Sequence, residues 1–355
     1  MAAVVRELDA IDFARVDSEG MYAHVVGFVR GFAEAWQTAA AFPLPAHYIK
    51  VNKIVLSGMG GSAQGGAIAR DLVYPYAKVP IEIVRDYHLP AWVDSNTLVI
   101  AVSYSGTTEE TVSTFIEGYE RGAKLMGIGT GGQIASLARK YKAPYFENTY
   151  NSQPRAALHV HLAVVLNFLA RLGHGEVTNE DVASLEAIEK TAAAKWVESV
   201  PEASNEAKQL ARKIFGRVPV IVGDGTLSAV ANRYKAQFNE NAKNPAYFEI
   251  LPEMNHNALV GTEMPKSAKD ALYYIFLDSD HTDGQNKTRM MLTEQLYRDR
   301  RFEGVRKRFE TDNPLAEVIS AIHFGDFVSY YLAILNQVDP TSVAVISEFK
   351  SKLGG

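Results

Sequence analysis

The chain has 355 residues, of which 47% are hydrophobic and 22% are charged, and its formal net charge is -5. This composition is typical of a globular protein, and the length suits two domains better than one ordinary core. The acidic balance and the lack of a long basic run argue against a nucleic-acid partner. The chain has no cysteine, which excludes disulfides, thiolate metal sites and cysteine nucleophiles and fits a reducing compartment.

The first 20 residues, MAAVVRELDAIDFARVDSEG, carry five acidic side chains. They have neither the basic start of a secretory signal nor the acid-poor composition of a transit peptide. No apolar run approaches the ~20 residues that span a bilayer. The sequence therefore predicts a cytoplasmic protein without a membrane partner.

Apolar residues at helical spacing predict an amphipathic leading helix over residues 21–40. Strand-like and helical segments then alternate. The predicted strands are Lys53–Gly58, Ile81–Arg85, Thr97–Val102, Ala123–Ile128 and Pro144–Glu147, and the predicted helices are Ala63–Tyr74, Glu109–Arg121 and Ile134–Tyr141. Repeated alternation of this kind predicts a parallel, doubly wound sheet.

A long apolar helix is predicted over Ala156–Leu172, and an alanine-rich helical region continues to about residue 200. A second alternation follows. Its predicted strands are Val218–Val222, Ala246–Leu251, Tyr273–Leu277 and Gly304–Phe309, and its predicted helices are Thr226–Ala242, Met290–Asp299, Pro314–Val338 and Val343–Leu353. The chain is therefore expected to contain a second sheet of the same kind, in keeping with a diverged duplication.

We predict an α/β fold of two tandem, doubly wound parallel-sheet domains, each a three-layer α/β/α arrangement, with helical N-terminal and C-terminal extensions. The predicted boundaries place an N-terminal helical segment at 1–45 and a first domain at 46–155. Connecting helices follow at 156–200, and a second domain occupies 201–355.

Residues 99–111, VIAVSYSGTTEET, form an apolar run that ends in hydroxyl groups and one glycine before a helical segment. This pattern predicts a buried parallel strand that leads into a helix N-terminus, where unpaired N–H groups favour an anion. Further hydroxyl donors come from Ser103, Ser105, Thr107 and Thr108. The loop has no lysine of the kind that activates a nucleotide phosphate, so we predict a site that holds a phosphate without transferring it.

The first predicted strand ends in residues 57–63, SGMGGSA, which partly match the dinucleotide-binding fingerprint through Gly58, Gly60 and Ala63. By itself the match fits a tight strand-to-helix turn equally well. Two turns rich in glycine and hydroxyl groups would, however, meet at one edge of a parallel sheet, where such sheets bind ligands. Together, and without an acid-rich metal site, they indicate a small phosphorylated ligand.

These two turns resemble those of the sugar isomerase (SIS) family of phosphosugar-binding domains. The segments QPRA at 153–156, NENAK at 239–243 and PEMNHN at 252–257 extend the likeness to the bifunctional phosphoglucose/phosphomannose isomerases, which have two SIS domains and belong to the phosphoglucose isomerase superfamily. The resemblance covers nearly the whole chain. It implies two SIS-type domains that interconvert glucose 6-phosphate, and mannose 6-phosphate as a second substrate, with fructose 6-phosphate, without a metal ion or another cofactor.

Aldose–ketose isomerisation moves a proton between C1 and C2 of the opened sugar through a cis-enediol, and it requires a carboxylate base, proton donors and a nearby cation. The resemblance assigns the base to Glu240 and ring opening to His256. It assigns positive charge to Arg155 and Lys350, and Lys352, two residues further on, leaves the choice of lysine open. The resemblance assigns phosphate binding to Gly60, Gly61, Ser62, Ser103, Ser105 and Thr108.

Each of these residues also has a plain structural interpretation. Most glutamates near helix ends are solvated, and a lone loop histidine often caps a neighbouring group. Beside Glu240, however, Asn239 and Asn241 are poor helix formers whose amides usually hydrogen-bond, which favours a built site. Arg155 at a helix start opposes the helix dipole unless an anion is bound there.

Three other functions are weighed against the isomerase. A phosphosugar-binding SIS sensor or regulator without catalysis would keep both turns but would not need Glu240 or His256. An amino-sugar isomerase would need an ammonia source, and the sequence has no glutaminase-like segment. A nicotinamide-dependent oxidoreductase would rest on the partial fingerprint at residues 58–63.

The order of the predicted elements separates Glu240 from His256. Helices between parallel strands run antiparallel to them, so Glu240 lies where strand 246–251 begins and His256 follows its other end. Six residues at ~3.3 Å each place the two residues roughly 20 Å apart, too far for one hexose phosphate to touch both. We therefore predict a homodimer with composite active sites, in which His256 reaches the partner's Glu240, and the resemblance implies the same arrangement.

Overall fold

Two parallel sheets lie at the centres of two compact units. The structure is a computed structural model that describes residues 7–353, apart from the side chain of Glu189. The N-terminal unit comprises residues 27–188 and 313–316, and the C-terminal unit comprises residues 7–26, 189–312 and 317–353. Residues 1–6 of the predicted N-terminal helical segment and 354–355 of the predicted second domain lie outside the described range.

The sheet of the N-terminal unit has five parallel strands in the order β2-β1-β3-β4-β5. The strands are β1 (Lys53–Ser57), β2 (Ile81–Val84), β3 (Thr97–Val102), β4 (Lys124–Gly129) and β5 (Tyr145–Glu147). The direction of winding reverses between β1 and β3. The carboxyl ends of these two strands therefore form the crevice where doubly wound sheets bind ligands.

The C-terminal unit has four parallel strands in the order β7-β6-β8-β9. The strands are β6 (Val218–Gly223), β7 (Tyr247–Ile250), β8 (Leu272–Asp278) and β9 (Glu303–Arg308). This order repeats the first four positions of the other sheet. The winding reverses between β6 and β8, and β7 forms one edge of the sheet.

The helices cover the faces of the sheets and form both ends of the described chain. In chain order they are α1 (Phe13–Val16), α2 (Met21–Val26), α3 (Phe28–Ala41), α4 (Gly60–Val73), α5 (Glu109–Glu120), α6 (Gly132–Tyr141), α7 (Leu158–Arg171), α8 (Asn179–Trp196), α9 (Glu206–Ile214), α10 (Ser228–Glu240), α11 (Ala268–Ala271), α12 (Gly284–Asp299), α13 (Pro314–Asn336) and α14 (Ala344–Leu353). The observed elements match the predicted fold class of two doubly wound parallel sheets with helical ends.

In the N-terminal unit, α5 and α6 pack on the face of the sheet that includes Val55 and Val99, where Phe115 lies at the centre of the apolar core. Alternate strand residues point to the opposite face. There Leu56 contacts α4 at Gly66, and α4 packs against α7. The sheet is thus covered on both sides, as expected for parallel strands.

In the C-terminal unit, α12 covers the face that includes Val222 and Phe276. Helix α10 connects β6 to β7 and packs against α13, where Gly325 leaves room for the ring of Tyr234. A Cβ at that glycine would lie 2.2 Å from the ring.

Helix α13 is long and apolar enough, by length and composition, to cross a membrane. The expectation that no apolar run approaches this length is therefore wrong. In the 18-residue stretch of α13 that is apolar enough to cross a membrane, 94% is buried inside the protein. A long helix that is mostly apolar and almost wholly buried is typical of a protein core.

Several helices differ from the prediction. Helix α4 begins three residues before the predicted Ala63, and α1, α9 and α11 were not predicted. The leading helix is divided into α2 and α3 at Gly27, a residue type with low helix propensity. Helix α12 begins at Gly284, six residues before the predicted start at Met290. Its first turns are polar and give no apolar periodicity, although the side chain of Asp283 caps them by accepting a hydrogen bond from the N–H of Gln285.

Candidate active site

The turn between β1 and α4 forms one part of the candidate phosphate site. Helix α4 begins at Gly60, whose φ of 50° lies in the left-handed region that favours glycine. The N–H groups of Gly60 and Gly61 open the helix, where backbone donors and the helix dipole attract an anion. The turn thus has the backbone geometry that the sequence predicted.

The turn between β3 and α5 forms the second part. The hydroxyl of Ser103 donates to Thr108 Oγ1 at 2.9 Å and accepts from the Gly106 N–H at 3.1 Å. The Tyr104 N–H donates to Ser62 Oγ at 3.2 Å, and this bond joins the two turns. The structure therefore brings together the turns that contain the predicted phosphate ligands Gly60, Gly61, Ser62, Ser103, Ser105 and Thr108.

Close backbone approach fixes the second turn. Gly106 has a φ of 68°, and a Cβ there would lie 1.9 Å from the carbonyl oxygen of Gly131. Beside it, the exposed Ser105 accepts a hydrogen bond from the Thr107 N–H at 3.3 Å. A larger residue at position 106 would displace the hydroxyl groups, so the glycine is required by the shape of the turn.

Arg155 adjoins the first turn through its backbone. A Cβ on Gly61 would lie 3.0 Å from both the Arg155 Cα and the Pro154 carbonyl oxygen. Arg155 is 2% exposed and lies three residues before α7, which begins at Leu158, two residues after the predicted start at Ala156. The structure places Arg155 next to the phosphate turns.

Glu240 is the last residue of α10, in the C-terminal unit, and is half-buried. It lines a cavity of about 760 Å³, a volume within the usual range for small-molecule sites. The other lining residues are Lys235, Asn239, Lys243, residues 244–247 before and at the start of β7, and residues 342–346 at the start of α14. A carboxylate and two lysines therefore line one cavity.

His256 ends the 3-10 helix Glu253–His256 that follows β7, and its side chain is exposed. Because α10 connects β6 to the parallel strand β7, Glu240 and His256 lie at opposite ends of β7, as predicted. The segment is held by the Asn255 side chain, whose Nδ2 donates to Thr293 Oγ1 at 2.8 Å. Within the C-terminal unit the structure does not bring the two predicted catalytic residues together.

The two candidate lysines lie on α14. Lys350 is exposed and follows the cavity-lining Ile346 by four residues, so both occupy the same stripe of the helix. Lys352 follows the cavity-lining Val345 by seven residues, so these two also share a stripe. Its ammonium donates to Glu348 Oε1 at 2.5 Å, and the choice between the two lysines stays open.

The C-terminal unit repeats the turn geometry of the phosphate site with different chemistry. Gly225 follows β6 with a φ of 48°, close to the 50° of Gly60 after β1. The two sheets can be aligned through their central strand pairs, β1–β3 and β6–β8. In this alignment the positions of Ser103, Ser105 and Thr108 correspond to Asp278, Asp280 and Asp283. At these positions the C-terminal unit thus carries carboxylates, which repel phosphate when ionised, where the N-terminal unit carries hydroxyl groups.

The carboxylates at these positions were not predicted, although the segment DSDHTDG at 278–284 contains them. Two cavity residues were not predicted either. Lys243 stood in the quoted NENAK segment, whereas Lys235 had no signal, because most helix lysines are solvated. Among residues 7–353, no group of three or more His, Asp or Glu side chains is arranged to hold a metal ion.

Comparison with solved structures defines the class of fold. The C-terminal domain of glucosamine-fructose-6-phosphate aminotransferase from Francisella tularensis matches with a TM-score of 0.73 at 15% identity, over 91% of this chain and 98% of that one. A family described as "Bacterial phospho-glucose isomerase C-terminal SIS domain" matches residues 203–353. The fold and its turns are those of a protein with SIS domains.

Sequence relatives narrow the class further. The bifunctional phosphoglucose/phosphomannose isomerase of Caldicellulosiruptor bescii is 39% identical over 305 residues, which cover 85% of this chain and 90% of that protein. The protein of the same name from Aquifex aeolicus is 33% identical over 337 residues, or 94% of this chain and 98% of that protein. The chain belongs to the family of bifunctional phosphoglucose/phosphomannose isomerases, as its motifs predicted.

Proposed function

We propose that this protein is a metal-independent isomerase that interconverts glucose 6-phosphate, and also mannose 6-phosphate, with fructose 6-phosphate in the cytoplasm. The observation that carries the proposal is Glu240, half-buried at the wall of a 760 Å³ cavity and accompanied by two lysines. The hydroxyl-lined turns of the N-terminal unit and the family membership support a phosphosugar substrate.

In this proposal each residue has one task. The turns at 60–62 and 103–108 hold the phosphate by hydrogen bonds. His256 assists ring opening, and Glu240 removes the C2 proton of the aldose and returns it to C1. Arg155 and Lys350 stabilise the enediolate as its charge develops. Because the enediol has lost its C2 configuration, protonation on either face accounts for both aldose epimers.

Lys350 is kept as the site lysine, as the resemblance assigns it, and Lys352 remains the alternative. Both lie one or two helical turns beyond residues that line the cavity at the start of α14.

We propose a homodimer with composite sites, in which His256 acts with the partner's Glu240. The separation of the two residues by the length of β7 supports it, and so does the position of β7 at the sheet edge. Tyr247, at the start of β7, is 62% exposed, and Val260 and Met264, which follow His256 in the chain, are each 69% exposed, so these apolar side chains are accessible to a partner. In a dimer with a two-fold axis beside β7, the end of β7 in one subunit lies opposite the start of β7 in its partner.

The proposed base is tested by replacing Glu240 with Gln. Without the carboxylate, kcat for glucose 6-phosphate in EDTA is expected to fall by about 10²–10⁴-fold, with unchanged circular dichroism. Glu120→Gln is the matched control, because Glu120 also ends a helix but is exposed in the N-terminal unit. Full activity of the Glu240→Gln variant would remove the proposed base.

The substrate range is tested in the same assay with each aldose supplied separately. Turnover of both to fructose 6-phosphate supports the bifunctional activity. Turnover of glucose 6-phosphate alone would contradict the second substrate. Binding of both without turnover would support a non-catalytic phosphosugar sensor instead.

A further inference from the structure

Lys243 has a backbone conformation that lysine rarely adopts. Its φ of 52° lies in the left-handed region, two residues beyond Asn241, the residue that caps the end of α10. Glycine is the usual residue in this conformation after a helix, because a Cβ makes it strained. At Lys243 the side-chain contacts show a reason why this strain persists.

The ammonium group of Lys243 supplies that reason. Its Nζ donates to the carbonyl oxygen of Glu240 at 3.0 Å and to that of Asn241 at 3.3 Å, and it also donates to the carbonyl oxygen of Asp339. An ammonium has three N–H donors, so these three acceptors match its full capacity. Two of the carbonyls belong to the end of α10, and the third belongs to the link between α13 and α14.

A second side chain reinforces this connection. Asn336, the last residue of α13, donates from Nδ2 to the carbonyl oxygen of Ala242 at 2.9 Å. The three consecutive carbonyls of residues 240–242 are therefore connected to residues 336–339, two through the Lys243 ammonium and one directly through Asn336. The ammonium also offsets the negative end of the helix dipole, which is otherwise unfavourable beside the carboxylate of Glu240.

The link continues directly into the cavity wall. Residues 342–346 begin three positions after Asp339 and line the same cavity as the end of α10. They lead into α14, which carries Lys350. The bonds made by Lys243 thus connect the helix that ends in Glu240 with a second segment of the wall of its cavity.

We propose that Lys243 is a positioning residue for Glu240: its ammonium clamps the end of α10 to the α13–α14 link and so fixes the carboxylate relative to the cavity. The inference rests on the proposed isomerase function, in which Glu240 is the base. Lys243 acts through the backbone carbonyls and makes no contact with the substrate in this role.

Three substitutions separate positioning from stability. Lys243→Gly removes the ammonium and the backbone strain together, whereas Lys243→Met removes the ammonium and keeps the strain. Lys142→Gly is the control, because Lys142 also has a left-handed φ, 56°, after a helix in the N-terminal unit. For both Lys243→Gly and Lys142→Gly, the denaturant concentration at the midpoint of unfolding is expected to equal or exceed that of the wild type.

The kinetic expectation is different for the two glycine variants. Lys243→Gly and Lys243→Met should both lose about 10- to 100-fold in kcat, as expected for a displaced catalytic group, with little change in KM. Lys142→Gly should keep the wild-type kcat. If activity followed stability, so that Lys243→Gly were fully active, the positioning role would be overturned.

Hydrogen exchange tests the clamp independently of turnover. The amides of residues 237–244 and 339–346 should exchange faster in both Lys243 variants and at the wild-type rate in Lys142→Gly. If the wild-type protein showed no isomerase activity, the proposed function would be contradicted. Hydrogen exchange alone would then test the clamp. Unchanged exchange in both segments of the Lys243 variants would overturn the clamp.

Discussion

His161 is a fully buried imidazole on α7 in the N-terminal unit. Its Nε2 lies 3.4 Å from the side-chain nitrogen of Asn148, and its ring is 6.3 Å from that of Tyr104 in the second phosphate turn. Burial lowers the pKa of His161 to about 4, because the charged form is poorly solvated in an apolar interior. The residue is therefore neutral in the folded protein at neutral pH.

This shift makes the free energy of unfolding depend on pH. The folded pKa lies below the unfolded value of 6.5, so the unfolded chain binds a proton more readily, and stability declines as the pH falls from 6.5 towards 4. The slope is expected to reach ~1.4 kcal/mol per pH unit, and His161→Gln should remove it. Denaturant titrations at pH 7, 6 and 5 measure the slope.

The control for this experiment is His88→Gln, because the side chain of His88 is 82% exposed. That variant should retain the wild-type pH dependence. An unaltered slope in His161→Gln would show that other groups cause the acid sensitivity of the N-terminal unit.

Helix α10 is fixed against α13 by a buried polar stripe. Asp326 accepts hydrogen bonds from Arg233 Nη2 at 3.1 Å and from Gln237 Nε2 at 2.9 Å. One turn later, Asn241 Nδ2 donates to Ser329 Oγ at 3.0 Å. The three α10 residues are spaced four apart and lie on one face, which sets the rotation of the helix and hence the direction of Glu240.

The central carboxylate of this stripe is the most sensitive position. Asp326→Asn would leave the charge of Arg233, which is 1% exposed, without its carboxylate. We expect a loss of about 3–5 kcal/mol in the free energy of unfolding, measured by denaturant titration.

An exposed ion pair provides the comparison. Arg30 and Glu34 are 3.8 Å apart, and their side chains are 83% and 71% exposed. Glu34→Gln should cost less than ~1 kcal/mol, because water already solvates both charges. Equal losses in Glu34→Gln and Asp326→Asn would contradict the structural role of the buried stripe.

The elements differ in how far their sequence predicted them. Strand β3 was predicted with its observed ends, Thr97 and Val102, because a continuous apolar run bounded by polar residues is typical of a buried parallel strand. The break at Gly27 and the early start of α12 were not predicted. In both places local periodicity carries too little apolar signal to locate a helix boundary.

The dimer proposal is tested by mixing inactive subunits. If His256 acts with the partner's Glu240, co-refolded Glu240→Gln and His256→Ala chains form heterodimers with one intact site each. Random pairing gives heterodimers in about half of the dimers, so about a quarter of the wild-type activity should return. Isomerase assays before and after mixing measure the recovery.

The double variant Glu240→Gln/His256→Ala, mixed with wild-type chains, is the reciprocal control. Composite sites leave activity only in wild-type homodimers, about a quarter of the population. Sites built within one chain would instead retain about half. Recovery in the first mixture together with loss in the second supports the dimer, and the opposite pattern excludes it.

The sequence by itself determined the alternation of strands and helices and the two turns rich in glycine and hydroxyl groups. These follow from local rules, because apolar period, backbone freedom and hydroxyl spacing act over a few neighbouring residues. Glu240 and His256 were singled out by the resemblance of their motifs to a known family. Tertiary structure alone decided which partners fix that chemistry. Lys243 bonds to a carbonyl 96 residues away, and Gln237 bonds to a carboxylate 89 residues away. Such pairings depend on how α10 packs against α13, and many polar side chains of the right type could have competed for each position.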